Sequence, residues 1–321
     1  MMTRDDRLHV VLGASGGLGS AVVWQLVRQG KRIRAVSRSA DRFDLGHRIE
    51  VVRGDITAPT QMRKICQGAS VIYHCANAPY PEWTTALPPM MDGVILGAET
   101  SGAKVVYGDN LYMYGRVSGL ITPDLPDRAT GKKGLVRSKI AAQLMAAHRS
   151  GRIQATIGRA SDFFGPGVLN SMMGEVVFQA LVEGKTLNLI GKLDVPHTYT
   201  FIEDFAKGLV TLGEREEALG EIWHIPSAET LTTRQFLDLI FAEARYTPKL
   251  RIASPLMLNF LGLFNPILRE IKEISYEFEQ PFIVDCQKYE RVFGSDPTPH
   301  REAIRRTISW FYDRHTKDII Y

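Results

Sequence analysis

The sequence predicts an α/β protein: a doubly wound parallel sheet with a smaller C-terminal substrate lobe. Three observations carry that expectation. Apolar strand-like runs alternate with helical segments over the first half, a glycine-rich turn directly follows the first run, and the pattern changes beyond Gly165. Residues 1–165, joined by 198–225, are expected to form the sheet domain, with 166–197 and 226–321 forming the lobe.

LHVVLGA, from Leu8, is a continuous apolar run suited to a strand buried on both faces, and AVVWQLVRQG reads as a helix stopped at Gly30. RIRAVSR gives a second strand, IEVVRGD a third, MRKICQG a short helix and ASVIYHCA a fourth strand. A helical stretch follows around Met90 to Thr100, then AKVVYGDN as a fifth strand, KKGLVRSKIAAQLMAAHRSG as a long helix and IQATIGRASDF as a sixth strand. Strands that alternate with helices pair in parallel, because each crossover returns the chain to the same edge. Past the glycines and proline of FFGPG, GEVVFQALVEG predicts a helix and TYTFIEDFAKGLVTLGE a return to strand and helix. TLTTRQFLDLIFAEA predicts a helix entered through a threonine cap. The final third is expected to fold over the carboxyl edge of the sheet.

Composition narrows the function classes. Of 321 residues, 45% are apolar and 23% charged, as in a packed globular protein. The net charge of +4 comes from 39 basic and 35 acidic residues scattered along the chain, without the basic block that nucleic acid would need. Cys66, Cys75 and Cys286 are too few and too far apart for a disulfide framework or a zinc site, so no metal is expected and a reducing, cytoplasmic compartment fits. No apolar run approaches the roughly 20 residues that cross a bilayer, which argues against stable membrane insertion. The oily segment SPLMLNFLGLFNPIL, from Ser254, is expected to be a buried or pocket-lining helix. The expected partner is a small-molecule substrate, with a homodimer open.

GASGGLG opens a helix straight after the first strand, spacing Gly13, Gly16 and Gly19 by three. Gly13 permits the tight turn, Gly16 lets backbone approach a pyrophosphate and Gly19 lets helix and strand pack closely, while the helix N-terminus supplies N–H donors. Ser15, Gly16, Gly17 and Leu18 are therefore expected against the dinucleotide. After the second strand stand Ser37, Arg38 and Ser39, where an acidic residue would bind the ribose of NAD. Arg38 there can grip a 2′-phosphate, which favours NADP, or it is an ordinary solvated arginine; NAD stays open. Asp55 and Ile56 in RGDIT and Ala76 in HCANA follow the third and fourth strands, where a carboxylate can meet adenine and small residues let the cofactor lie on backbone. Gly-Asp is also ordinary turn chemistry.

GASGGLG, RGDIT, HCANA, YMYG, RSKIAAQ, GRASDFFGPG and FIEDFAKG fall in an order that resembles the extended short-chain dehydrogenase/reductase superfamily, in its NAD-dependent epimerase/dehydratase-like branch. The resemblance spans nearly the whole chain. It implies a Rossmann domain with a C-terminal substrate lobe, and cofactor contacts from Ala160 and Ser161. It also implies a catalytic Ser or Thr five residues before the glycine of YG, which here is Asn110. The catalytic Tyr of its Tyr-x-x-x-Lys pair falls on Leu135, and only Lys139 matches.

In that registration Lys139 is expected to clamp the nicotinamide ribose and Asn110 to polarise a carbonyl without relaying a proton. Tyr112 is the candidate replacement acid, or it packs beside the cofactor. His197 and Tyr199 precede FIED, where the resemblance implies substrate contacts. In sugar-nucleotide epimerases an arginine holds the substrate diphosphate at the position of His197, so a moderately apolar substrate is expected, with Phe163, Phe164, Met172 and Met173 nearby. The leading expectation is an NADP-dependent oxidoreductase reducing a carbonyl or enone. A dinucleotide-binding sensor without turnover and an NAD-dependent epimerase or dehydratase are the alternatives.

Overall fold

Seven parallel strands form the central sheet in the computed structural model, which describes residues 6–38, 49–253 and 273–320. They are β1 (Leu8–Leu12), β2 (Arg32–Ser37), β3 (Ile49–Arg53), β4 (Ala69–His74), β5 (Lys104–Asp109), β6 (Gln154–Arg159) and β7 (Ile222–His224), in spatial order 7-6-5-4-1-2-3. Every residue of β1 is buried, as its unbroken apolar run requires. β1 pairs with β2 on one side and β4 on the other, so the strand order reverses there. A crevice opens outside the carboxyl ends at such a switch point, and ligands of open α/β sheets bind in it.

Helices cover both faces. On one side α1 (Gly17–Arg28) packs on α5 (Ile202–Glu214), around Val22, Leu26, Phe205 and Leu209. On the other, α2 (Pro59–Ile65), α3 (Trp83–Ser101) and α4 (Lys132–Arg149) close over Val10, Ile72, Val105 and Ile157. A further core gathers the segment Met172–Val182, α6 (Thr233–Ala244) and α8 (His300–Ile320) around Phe164, Phe178, Phe236 and Phe311. α6 begins with the expected threonine cap: Thr232 accepts from the Gln235 backbone N–H while the Gln235 side chain accepts from the Thr232 N–H. α7 (Gln287–Phe293) lies against β7.

Three features differ from the sequence reading. α3 starts at Trp83, seven residues before the expected stretch, because Pro88 and Pro89 lie inside it. β7 was not legible as a strand: it is three residues long, holds His224, and forms the sheet edge beside β6. The residues that follow FFGPG's strand pairing are also unexpected, in that Thr200–Phe201 pairs with Phe163–Phe164 outside the main sheet. The segment from Ser254 lies outside the described residues. Among those described, no helix is long and apolar enough to cross a membrane.

Candidate functional site

The glycine loop lies at the switch point. Gly13 has φ +81°, and a Cβ there would stand 2.5 Å from Cα of Ala76, so the end of β1 and the turn after β4 touch backbone to backbone. Gly16 caps α1 in extended conformation with no side-chain cap and no acidic residue in the first turn, leaving the first N–H groups of α1 without a side-chain partner. Ser15 and Gly16 are exposed while Gly17 and Leu18 are half buried, the Leu18 side chain lying over Gly108 of β5.

Around this loop the other expected contacts arrange themselves unevenly. Ser37 is buried at the end of β2 and Arg38 is exposed beyond it; Ser39 lies outside the described residues. Asp55 is exposed, and its Oδ1 accepts from the Thr57 N–H at 2.9 Å and hydroxyl at 2.7 Å, which holds its carboxyl below the usual range with a smaller contribution from Arg38. Ile56 is buried under α3, where its carbonyl meets Gly93. Ala160 is core, and the Ser161 hydroxyl is buried with no hydrogen-bond partner among the described residues.

On α4, Leu135 is 52% exposed and Lys139, one turn further on, is exposed with it. The inward face carries Lys133 and Arg137, 2% and 5% exposed and also four residues apart. Gly134 lets this happen, since a Cβ there would overlap the Tyr112 carbonyl and the Ala129 side chain. The sequence signal was the helical period itself: counting back from Ile140 by three and four reaches Arg137, Val136 and Lys133.

Arg137 organises the carboxyl ends of β4 and β5. Its Nη1 donates to the Tyr107 hydroxyl at 2.6 Å and lies 3.4 Å from Oδ1 of Asp109. Its Nη2 donates to Oδ1 of Asn77 at 3.0 Å, and the guanidinium covers the Trp83 ring at 4.1 Å. The same Asp109 meets Arg159 Nε through Oδ2 at 3.3 Å, and Arg159 donates to the Tyr114 hydroxyl at 2.8 Å. Tyr114 pairs with Nε2 of His224 at 3.0 Å, whose Nδ1 donates to the Asp285 carbonyl at 3.1 Å. Burial and the neighbouring Arg159 push His224 down to about 3, so the ring is neutral and Nε2 accepts from Tyr114.

Tyr80, Trp83 and Tyr112 form the wall beside this network. Trp83 stacks on Tyr80 at 4.7 Å and on Tyr112 at 5.9 Å, and the two phenol oxygens are 2.9 Å apart. Burial pushes Tyr80 up to about 12 and Tyr112 well above the usual phenol value, with Asp162 and Glu277 contributing to both, so both phenols stay protonated. The ammonium of Lys133 is 5.4 Å from the Tyr80 ring and 3.8 Å from Oε2 of Glu273. Oδ1 of Asn110 accepts from the Tyr112 N–H at 3.2 Å, fixing the turn that carries the phenol.

His197 is fully buried, and its Nε2 lies 2.6 Å from Oδ2 of Asp162. Tyr199 does not reach the cleft: its hydroxyl pairs with Thr233 at 2.8 Å and its ring stacks on Phe236 at 4.5 Å. The expected apolar pocket residues are also displaced, because Phe164 and Met173 belong to the core around Phe236, Met172 packs against that core, and Phe163 leans on Phe205. Sequence reasoning missed Tyr80, Trp83, Lys133, Arg137 and Asp162.

A seven-stranded parallel sheet with a glycine loop at its switch point and a charged pair on the crossover helix defines a dinucleotide-binding protein of the Rossmann type. The chain belongs to the NAD dependent epimerase/dehydratase family, whose sequence model matches residues 9–225. It is 23% identical over 299 residues to the 3beta-hydroxysteroid-dehydrogenase/decarboxylase isoform 1 of Arabidopsis thaliana, covering 82% of this chain and 67% of that protein. The fold is shared with UDP-glucuronic acid 4-epimerase from Bacillus cereus, solved with UDP-glucuronic acid and NAD (TM-score 0.80, 17% identity, 96% of this chain and 99% of that one). It is shared too with DesIV, a dTDP-glucose 4,6-dehydratase from Streptomyces venezuelae solved with NAD (TM-score 0.79, 20% identity, 97% and 98%).

Proposed function

We propose that the chain is a nicotinamide-dinucleotide-dependent oxidoreductase that reduces a carbonyl or enone of a small, moderately apolar substrate. The observation that carries this reading is the donor-rich wall: two protonated phenols, Tyr80 and Tyr112, beside the inward-facing Lys133 and Arg137. Such a wall favours an oxygen that gains negative charge, as a carbonyl does when hydride reaches its carbon. When bound, the dinucleotide supplies the hydride. The N–H groups of Gly17 and Leu18 hold its pyrophosphate, Arg137 and Ser161 meet the nicotinamide side, and Tyr112 and Lys133 hold the substrate oxygen. Trp83 and the two tyrosine rings exclude water and supply the apolar surface.

Arg38, exposed at the end of β2, supports a preference for NADP(H). Loss of one charge-assisted phosphate contact, about 1.5–3 kcal/mol, corresponds to about ten-fold or more in affinity. Arg38→Asp is therefore expected to reverse the preference between NADPH and NADH in a fluorescence titration. Equal affinities in the unaltered protein would remove Arg38 from the site.

A second reading, epimerase or dehydratase with retained NAD, is favoured by the family and by the NAD in the structures of similar fold. Consumption of NADPH against a panel of ketones, aldehydes and enones tests the first reading. Cofactor released in stoichiometric amount on denaturing the purified protein, with conversion of a nucleotide sugar, would favour the second. Tight NADPH binding without turnover of any of these would leave a sensor.

A further inference from the structure

The phenols beside Lys133 are held protonated too firmly to be good proton donors, so the source of the proton is a separate question. The answer lies across the cleft. Nδ1 of His197 is 3.1 Å from the backbone carbonyl of Glu277, and a carbonyl only accepts, so Nδ1 carries a hydrogen. Nε2 of the same ring is 2.6 Å from Oδ2 of Asp162. A neutral imidazole protonated at Nδ1 and an ionised carboxylate would set two lone pairs against each other there. A proton therefore lies between them, whichever atom owns it.

The surroundings keep it there. Phe278 and Phe282 stack on the imidazole at 4.8 and 5.2 Å, and Tyr199 leans on it at 4.6 Å, so the ring is fixed and dry. Among the described residues Asp162 makes no ion pair with Lys or Arg. The other titratable groups that feel its charge are Glu277, Tyr80, Tyr112, Tyr199 and Tyr276, all pushed towards their neutral forms chiefly by burial. Glu277 itself is buried with Oε1 unpartnered among the described residues, and Arg116 and Arg137 act on Tyr276 and Tyr80. Asp162 keeps 16% of its side chain exposed and stands just after β6 at the carboxyl edge, whereas His197 has none.

We propose that Asp162 and His197 together store one proton and that Asp162 gives it to the substrate oxygen, in place of the tyrosine this chain lacks. This rests on the oxidoreductase reading. With a hydride supplied by a bound dinucleotide, a C–H bond would form at the carbonyl carbon, the π pair would move to oxygen, and that oxygen would form an O–H bond with the stored proton. The pair is left as a carboxylate facing a neutral imidazole, and the opposed lone pairs draw the next proton from water. Tyr112 and Lys133 hold the oxygen throughout, and the two phenols keep their own protons.

The test uses the full chain labelled with 15N-histidine. His197 is expected to show two downfield proton resonances, one from Nδ1–H and one from the Nε2–Oδ2 contact. In Asp162→Asn, whose amide can donate to Nε2, only Nδ1–H remains on the ring; the rest of the spectrum reports whether the fold is kept. NADPH affinity should be unchanged, NADPH consumption with the best carbonyl of the panel should fall about 10²-fold or more, and Asp162→Glu should restore part of it. A wild-type protein that shows no proton resonance from the Nε2–Oδ2 contact overturns the stored proton, and an Asp162→Asn protein as fast as wild type overturns the donor. A wild-type protein that consumes no NADPH overturns the oxidoreductase reading, and with it the donor role, and is told apart because the two histidine resonances are then still present.

Discussion

Asp109→Ala is expected to destabilise the protein by about 3–5 kcal/mol, seen as a lower denaturant midpoint in urea. Among the described residues Asp109 is the one carboxylate that meets both Arg137 and Arg159, and all three side chains are almost wholly buried. Taking two guanidinium groups out of water is tolerable only while the carboxylate and the hydroxyls of Tyr107 and Tyr114 face them. Removing it leaves uncompensated charge between β5, β6 and α4, where the cleft is built. Asp109→Asn keeps the shape and an acceptor oxygen, so it should cost less. A change below about 1 kcal/mol for Asp109→Ala would mean that water reaches the arginines, which their burial argues against.

Tyr112→Phe is expected to lower carbonyl reduction by about 10²-fold while NADPH affinity stays the same. The substitution removes one oxygen from the Tyr80–Tyr112 pair and keeps the ring that stacks on Trp83, so the wall survives without the donor. A preorganised donor aimed at a developing oxyanion contributes on that scale. Steady-state consumption of NADPH at saturating cofactor measures it. An unchanged rate for ketones would show that Tyr112 only packs beside the cofactor, and activity confined to enones would show that solvent protonates an enolate.

How much of this was legible in the sequence depends on range. The sheet, its six longer strands and the glycine loop were readable because each is a local pattern: β1 is apolar throughout, and GASGGLG sits between a strand and a helix. The threonine cap of α6 was readable for the same reason. α4 was readable as a helix, but RSK drew attention to Lys139, while the buried period sets Lys133 and Arg137 inward. Prolines hid the first turns of α3, and so Tyr80 and Trp83 went unassigned. His197 was singled out on its position in the chain, yet its partner Asp162 is 35 residues earlier and only the fold brings them together.

On the reading proposed above, α4 turns Lys133 and Arg137 to the cofactor, and not Leu135 and Lys139. Calorimetric titration of NADPH into the wild-type protein, Arg137→Met and Lys139→Met decides between the two pairs. Arg137→Met, which keeps the apolar stem over Trp83, should bind about ten-fold or more weakly, and Lys139→Met should bind as the wild type does. Weakened binding in Lys139→Met with unchanged binding in Arg137→Met would contradict the account.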